Sequence, residues 1–308
     1  MVRSLGVALV ACILVGCQPE RPESPTKGHL QVLLAESAAP ILLREVQAFE
    51  AVYGPHGATV DARIMSSREA VSRFVLDTIR LIISTVPLTP AEGDLVRRLG
   101  DLTAIAVAYD GVVAVVHHTN PVERLTTTEL ADILRGRVNR WEQLRNHGAK
   151  RGTIRLLLED SSDVASFVER RLLHGSSVSA SHRSAVGSLD LLRELSRTPD
   201  ALGLVGLAWI DSAHVPAKPL EVAETEAHPD TLFAVPPESA GSYYSPHPAN
   251  IYRSYYPLKR AIMLYAKSLR GDLASGFGTY VANKEGQRIF LEGGLVPGTQ
   301  PIRLRGVR

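Results

Sequence analysis

The stretch that most constrains the fold is LQVLLAESAAPILLREVQAFEAVYGP, residues 30–55. It begins with Leu30-Gln-Val-Leu-Leu-Ala35, a short apolar run that is typical of a buried strand. Apolar residues at helical spacing follow from Pro40 to Tyr53, and Gly54-Pro55 ends that periodic pattern. The stretch therefore predicts one buried strand followed by one amphipathic helix.

The same alternation of strands and helices continues along the chain. The strand 103–117 is interrupted by Asp110-Gly111, which indicates a bend or a passage between two lobes. Strands separated by helices imply parallel pairing with helical crossovers, so an α/β fold class is expected. The further strands we predict are 59–65, 79–85, 153–158, 202–210 and 257–266, and the further helices are 67–77, 90–99, 128–134, 140–145, 163–173, 189–196 and 272–290.

Composition excludes several classes of protein. The 308 residues include 34 basic and 32 acidic side chains, and 45% of the chain is hydrophobic. Such a chain can bury a full core and is neither disordered nor strongly basic, so we expect no nucleic-acid partner. Both cysteines, Cys12 and Cys17, lie close to the N-terminus, so the rest of the chain has no residue for a disulfide, a thiolate metal cluster or a cysteine nucleophile.

The N-terminus has the pattern of an export signal. Arg3 precedes an apolar run at 5–15, which is shorter than the roughly 20 residues that a membrane-spanning helix needs. The run ends in Leu14-Val-Gly-Cys17, which resembles the lipobox of bacterial lipoproteins. That resemblance implies a signal peptide at 1–16, a diacylglycerol on Cys17 and a flexible, proline-rich tether at 17–28. A signal peptide with an incidental cysteine is the alternative.

Several segments resemble one family, in the same order and over nearly all of the mature chain. They are LTTTELADILRGRVNRW at 125–141, LVGLAW at 204–209, YPLKR at 256–260 and GQRIFLEGGLVP at 286–297, with STVPL at 84–88 and YDG at 109–111. The chain is similar to the PstS-like phosphate-binding lipoproteins of bacterial ABC transporters, which have the type II periplasmic-binding-protein fold. The resemblance implies two lobes, each a mixed sheet flanked by helices, joined by two crossing strands: residues 29–112 plus 255–308 form lobe I and residues 113–254 form lobe II.

The family resemblance also implies a function. The protein would be a lipid-anchored monomer of the cell envelope that captures phosphate or a similar oxyanion and presents it to the subunits of an ABC permease. We expect no cofactor, no metal and no catalytic residue, because no catalytic motif is present. A degenerate envelope protein that acts as a sensor or an interaction partner, with another ligand or none, is the alternative. A hydrolase with Ser161 as nucleophile is a third hypothesis, which requires a nearby histidine such as His182.

Turns at strand ends and helix starts supply the candidate ligand-binding residues. An oxyanion needs convergent hydrogen-bond donors, and the free N–H groups at a helix start provide them. Each Ser or Thr taken alone is better explained as a helix cap, but binding is favoured when such turns converge in one fold. The ligand-binding residues we predict are Ser37, Ala38, Ser67, Thr85, Ser161, Ser162 and Asp163.

The turn predicted in lobe II differs from the pattern of phosphate binders. The family generally has Ser-Gly-Thr followed closely by an arginine, whereas residues 161–165 are Ser-Ser-Asp-Val-Ala. Together with Glu36 in the first turn, this would give the cleft two carboxylates, which repel a dianion unless a proton, a metal or a basic residue offsets them. Arg68 and Arg260 are the first candidates for that offset, followed by Lys259. An outward-facing Asp163 in the first helical turn is the alternative.

Overall fold

The computed structural model describes residues 23–76, 79–226, 233–267 and 271–300, so the predicted signal peptide and Cys17 lie outside it. The strands are β1 Gly28–Ala35, β2 Ala58–Met65, β3 Leu81–Ser84, β4 Leu102–His117, β5 Arg124–Thr126, β6 Arg155–Leu158, β7 His182–Ser184, β8 Ala201–Gly206, β9 Ala217–Pro219, β10 Glu221–Ala223, β11 Tyr243–Tyr244, β12 Lys259–Lys267 and β13 Val296–Pro297. The helices are α1 Ala39–Tyr53, α2 Ser67–Leu76, α3 Pro90–Leu99, α4 Thr127–Leu134, α5 Asp163–Leu172, α6 Ser188–Leu195, α7 Ala208–Ser212, α8 Pro248–Tyr252, α9 Leu273–Ala282 and α10 Lys284–Glu292.

One mixed sheet runs through the molecule in the order β2-β1-β3-β12-β4-β8-β6-β7. Strand β1 is parallel to β2 and β3, and β6 is parallel to β7 and β8. The long strand β4 joins these two parallel groups, because residues 102–111 pair with β12 and residues 112–116 pair with β8. We call the part around β1, β2, β3 and β12 lobe I, and the part around β6, β7 and β8 lobe II. The α/β class and the two-lobed mixed-sheet architecture are thus confirmed.

Helices cover both faces of the sheet in lobe I. Leu30, Val32 and Leu34 pack with α1, α9 and α10, whereas Leu33 packs with α2 and α3 on the opposite face. Successive side chains of a strand point to opposite faces, so a strand that is covered on both sides is apolar at nearly every position. This explains why β1 is apolar at every position from residue 32 to residue 35.

Lobe II is built in the same way. Trp141 and the apolar faces of α4 and α5 pack on one side of its sheet, and α6 packs on the other side through Leu191, Leu192 and Leu195. A small second sheet, β11-β10-β5, adjoins this lobe. None of the helices in the described ranges is long and apolar enough to cross a membrane.

Three predicted elements were wrong in detail. The strand predicted at 202–210 ends at Gly206, because Leu207 turns into helical geometry and begins the short helix α7. The helix predicted at 272–290 is divided into α9 and α10 by Asn283, which has an extended backbone and caps α10 with its side chain. The helix predicted at 140–145 is only a 3-10 turn at Trp141–Gln143, because the chain is extended again at Leu144.

Candidate functional site

Three turns of lobe I meet at one edge of its sheet, where the parallel strands β1, β2 and β3 end. Ser37 follows β1, Ser67 begins α2 after β2, and Thr85 follows β3; all three are 3% exposed or less. Thr85 Oγ1 lies 3.2 Å from Ser37 Oγ and 3.3 Å from Ser67 Oγ, and the Thr85 N–H donates to Ser67 Oγ at 2.9 Å. We call these three residues the hydroxyl cluster.

The carboxylate of Asp163 lies in the hydroxyl cluster. Asp163 is the first residue of α5 in lobe II and is 2% exposed. Its Oδ1 accepts the backbone N–H of Ser67 at 2.5 Å, and its Oδ2 accepts the hydroxyls of Ser67 at 2.9 Å and Ser37 at 3.0 Å. Both oxygens are therefore bound by donors of lobe I. The alternative of an outward-facing Asp163 was wrong, because these donors hold the side chain inside the cleft.

A second carboxylate crosses the cleft in the opposite direction. Glu36, in the turn after β1, accepts the backbone N–H of Ser188 at 2.9 Å and the Ser188 hydroxyl at 3.0 Å. Ser188 begins α6 in lobe II, where the free N–H groups and the helix dipole favour a negative charge. Burial raises the pKa of Glu36, and the two bonds from Ser188 oppose that shift. Each lobe thus receives a carboxylate from the other.

A buried ion pair lies behind the hydroxyl cluster. Arg260 of β12 donates to Asp110 Oδ2 from Nε at 3.1 Å and from Nη2 at 2.6 Å, and both residues are 2% exposed or less. The remaining nitrogen, Nη1, lies 3.5 Å from Thr85 Oγ1. Of the two arginines considered from the sequence, Arg260 contacts the cluster, whereas Arg68 pairs with Glu92 at 2.8 Å on the surface.

Gly206 allows the two lobes to approach closely at this point. A Cβ atom at Gly206 would lie only 2.0 Å from the carbonyl oxygen of Ser37 and 2.8 Å from Nη2 of Arg260. The next turn of lobe II adds a further contact, because Trp209 Nε1 donates to the carbonyl oxygen of Glu36 at 2.9 Å. The end of β8 and the turn after β1 are therefore in direct contact.

Glu159 is a third carboxylate at the cleft. It follows β6 and is partly buried. Burial, together with the negative charges of Glu36 and Asp163, raises the pKa of Glu159 to about 7. Neither Glu159 nor Ser188 is among the residues predicted from the sequence. Gly187-Ser188 at the start of a helix and an acid directly after a buried strand are the patterns that could have indicated them.

The other predicted residues lie outside the hydroxyl cluster. Ala38 is buried in the apolar core of lobe I, Ser162 caps α5 with its hydroxyl, and Ser161 is exposed with a left-handed φ of 56°. No hydrogen bond joins these three to the cluster in the described part of the chain. His182 Nε2 lies 2.6 Å from Asp160 Oδ1, so the imidazole contacts that acid rather than Ser161.

The arrangement can bind an anionic group by hydrogen bonding. Lobe I presents one backbone N–H and two hydroxyls to the two oxygens of a carboxylate, with a guanidinium nearby, in a site shielded from water. Charge-assisted bonds of this kind are stronger than neutral ones. Among the described residues, no group of three or more His, Cys, Asp or Glu side chains is placed to hold a metal ion.

Known proteins share this architecture. A phosphate-bound putative phosphate ABC transporter substrate-binding protein from Clostridium perfringens is 17% identical, with a TM-score of 0.69 over 88% of this chain and 99% of that one. An ABC-type phosphate transport receptor from Vibrio cholerae is 19% identical, with a TM-score of 0.64 over 88% of this chain and 100% of that one. A comparison with curated proteins gives no match. Residues 19–285 match the family model of the PBP superfamily domain, which confirms the resemblance seen in the sequence, and the chain belongs to that family.

Proposed function

We propose that this protein is an extracytoplasmic solute-binding lipoprotein that captures phosphate or a similar small oxyanion between its lobes for an ABC transporter. The observation that carries the proposal is the hydroxyl cluster, which with the Ser67 N–H binds both oxygens of a carboxylate. A phosphate oxygen accepts the same donors, and the neighbouring strand ends form the edge where ligands of open α/β sheets bind. The similar proteins from Clostridium perfringens and Vibrio cholerae are named for phosphate transport, which supports this ligand class.

Binding would proceed by closure of the lobes over the ligand, without covalent chemistry. Lobe I would comprise residues 29–112 plus 255–308 and lobe II residues 113–254, a division supported by the change of partner strand along β4. Ser37, Ser67 and Thr85 would contact the oxyanion from lobe I. The ligand-binding residues proposed beside them are Ala38 through its backbone, and Ser161 and Ser162 at the start of α5. Asp163 shares this site, but its carboxylate accepts hydrogen bonds and has none to donate to an oxyanion.

Calorimetric titration of the chain from residue 18 with phosphate, and then with sulfate, tests the proposal. The expected result is saturable binding of phosphate that Ser67→Ala weakens at least about tenfold, because that change removes a charge-assisted bond. Ser177→Ala is the matched control, since Ser177 is exposed in lobe II. Absence of binding at millimolar concentrations of both phosphate and sulfate would contradict the proposal.

The proposed lipid anchor has a separate test. Export and lipidation would leave Cys17 as the modified first residue, facing outward from a bacterial membrane. Cys17→Ser should abolish incorporation of labelled fatty acid and release the protein from the membrane fraction, whereas Cys12→Ser should change neither. Equal labelling of the Cys17→Ser variant and the native chain would refute this assignment.

A role as a sensor or interaction partner is the second candidate function. Asp163 favours it, because a side chain of the protein already occupies the donors of lobe I. This function predicts a folded, lipid-anchored protein that binds no oxyanion in the same titration. The two candidates therefore differ in one measurement, the heat released on adding phosphate to the native chain.

A further inference from the structure

Asp163 and an oxyanion need the same donors. The Ser67 N–H carries one hydrogen, and each hydroxyl donates only one, so every donor given to Asp163 is lost to another acceptor. Asp163 and a bound oxyanion therefore cannot be bound by the donors of Ser37 and Ser67 at the same time. An oxyanion that entered beside Asp163 would also be repelled by the negative charge of that carboxylate.

The bonds to Asp163 also join the two lobes. Asp163 belongs to α5 of lobe II, and its partners, Ser37 and Ser67, belong to lobe I. The contact from Glu36 to Ser188 has the reverse polarity, with the carboxylate on lobe I and the helix N-terminus on lobe II. Two carboxylates held by five donated hydrogens therefore connect the lobes across the cleft.

We propose that Asp163 and Glu36 form an intramolecular latch that holds the lobes closed, and that Asp163 is the residue that sets the affinity for an oxyanion by competing with it. The latch itself depends only on the contacts above; the competition rests on the function proposed in the preceding subsection. An oxyanion binds only after the latch opens, so its apparent dissociation constant is the intrinsic constant divided by the fraction of molecules whose latch is open. Coupling of this kind typically changes a dissociation constant by a factor of about 10 to 100.

The experiment compares the native chain from residue 18 with Asp163→Ala, which removes the carboxylate. Asp160→Ala is the matched control, because it removes the same charge from the same turn, where Asp160 is 60% exposed and contacts His182 instead of lobe I. Glu36→Ala removes the carboxylate that accepts both bonds from Ser188 and serves as an independent variant if Asp163→Ala does not fold. Circular dichroism melting establishes folding for each variant.

Two readouts are taken on each variant. Spin labels at exposed Leu99 of lobe I and exposed Ser177 of lobe II report the distance between the lobes without added ligand. The only native cysteines, Cys12 and Cys17, are absent from this chain, so cysteines introduced at the two label sites react alone. Calorimetry then measures the affinity for inorganic phosphate.

The latch predicts a single narrow distance in the native chain and in Asp160→Ala, and a longer, broader distribution in Asp163→Ala and in Glu36→Ala. Identical distributions in the native chain and both latch variants would overturn it. The competition predicts phosphate affinity at least about tenfold higher in Asp163→Ala than in the native chain; equal, measurable affinities would overturn that part. If no variant binds phosphate, the proposed transport function fails, and the distance measurement still decides the latch.

Discussion

Replacing Asp110 by Asn should destabilise the protein strongly, because it removes one member of a fully buried ion pair. Asp110 lies in β4 where the strand changes from pairing with β12 to pairing with β8. Its Oδ2 accepts hydrogen bonds from two nitrogens of Arg260. Its Oδ1 accepts hydrogen bonds from the backbone N–H groups of Gly111 at 2.7 Å and Leu207 at 3.2 Å. Four donors therefore converge on this one carboxylate.

The expected cost can be worked from these contacts. An asparagine side chain has one acceptor oxygen and one NH₂ group, which only donates. The NH₂ group would therefore face two of the four donors without accepting a hydrogen bond from either. The Arg260 guanidinium also loses its counter-charge while it stays buried. Removing one partner of a buried ion pair costs about 3–5 kcal/mol, and we expect Asp110→Asn to lower the free energy of unfolding by that amount.

Urea unfolding followed by tryptophan fluorescence measures the effect, since Trp141 is fully buried in lobe II. A double-mutant cycle with Arg260→Met separates the ion pair from the loss of the two backbone contacts, and we expect a coupling energy of about 2 kcal/mol or more. Asp94→Asn is the control, because Asp94 pairs with Arg97 on an exposed helix face, and it should leave the unfolding midpoint unchanged. A cost below about 1 kcal/mol for Asp110→Asn would refute the reasoning.

Further substitutions test other features. Burial raises the pKa of Glu45 from 4.5 to about 9. Between pH 4.5 and pH 9 the folded protein therefore holds a proton that the unfolded chain has released. The free energy of unfolding should fall across this pH range by up to about 1.4 kcal/mol per pH unit. Glu45→Gln should remove that contribution to the slope in urea unfolding series between pH 5 and pH 8. Gly206→Ala should destabilise the protein by about 1–3 kcal/mol in thermal unfolding, because the new methyl group meets the Ser37 carbonyl. Asn283→Ala should cost about 1 kcal/mol in the same assay, because Asn283 caps α10.

Controls and contrary outcomes differ for these substitutions. An unchanged pH slope in Glu45→Gln would show that this carboxyl does not bind the extra proton of the folded state. Gly54→Ala is the control for Gly206→Ala, because a Cβ at Gly54 meets nothing within 4 Å, and equal effects of the two would contradict the close approach of the lobes. Asn283→Asp, which keeps a capping oxygen, should recover most of the stability; no recovery would exclude the cap as the cause.

Elements with local sequence patterns were predictable. Helix α3 begins at Pro90 and ends at Leu99 as predicted, because Thr89 and Glu92 form a capping box that is visible in the sequence. The end of β8 was not predictable in this way. Residues 207–210 are apolar throughout, so the pattern does not distinguish a strand from a helix, and the bond from Leu207 N to Gly111 O across the sheet accompanies the turn there.

In the candidate site, too, local patterns predict some residues, whereas others depend on contacts between distant parts of the chain. Ser37, Ser67 and Thr85 could be brought together from the sequence, because parallel strands place their carboxyl ends at one edge. The inward position of Asp163 and the contact of Glu36 with Ser188 depend on how one lobe meets the other, across 126 and 152 residues of chain. No local pattern contains that information.

The identity of residue 163 decides whether the start of α5 offers a hydrogen-bond donor or only an acceptor to the cleft. A threonine hydroxyl, as in the Ser-Gly-Thr pattern of phosphate binders, can donate to an anion. The carboxylate of Asp163 can only accept, and the donors nearest to it are those of lobe I. Arg260 does not reverse this polarity, because Asp110 already balances its charge. The closed cleft is therefore satisfied by carboxylates supplied from within the chain, and an external oxyanion gains these donors only by separating the lobes that hold them.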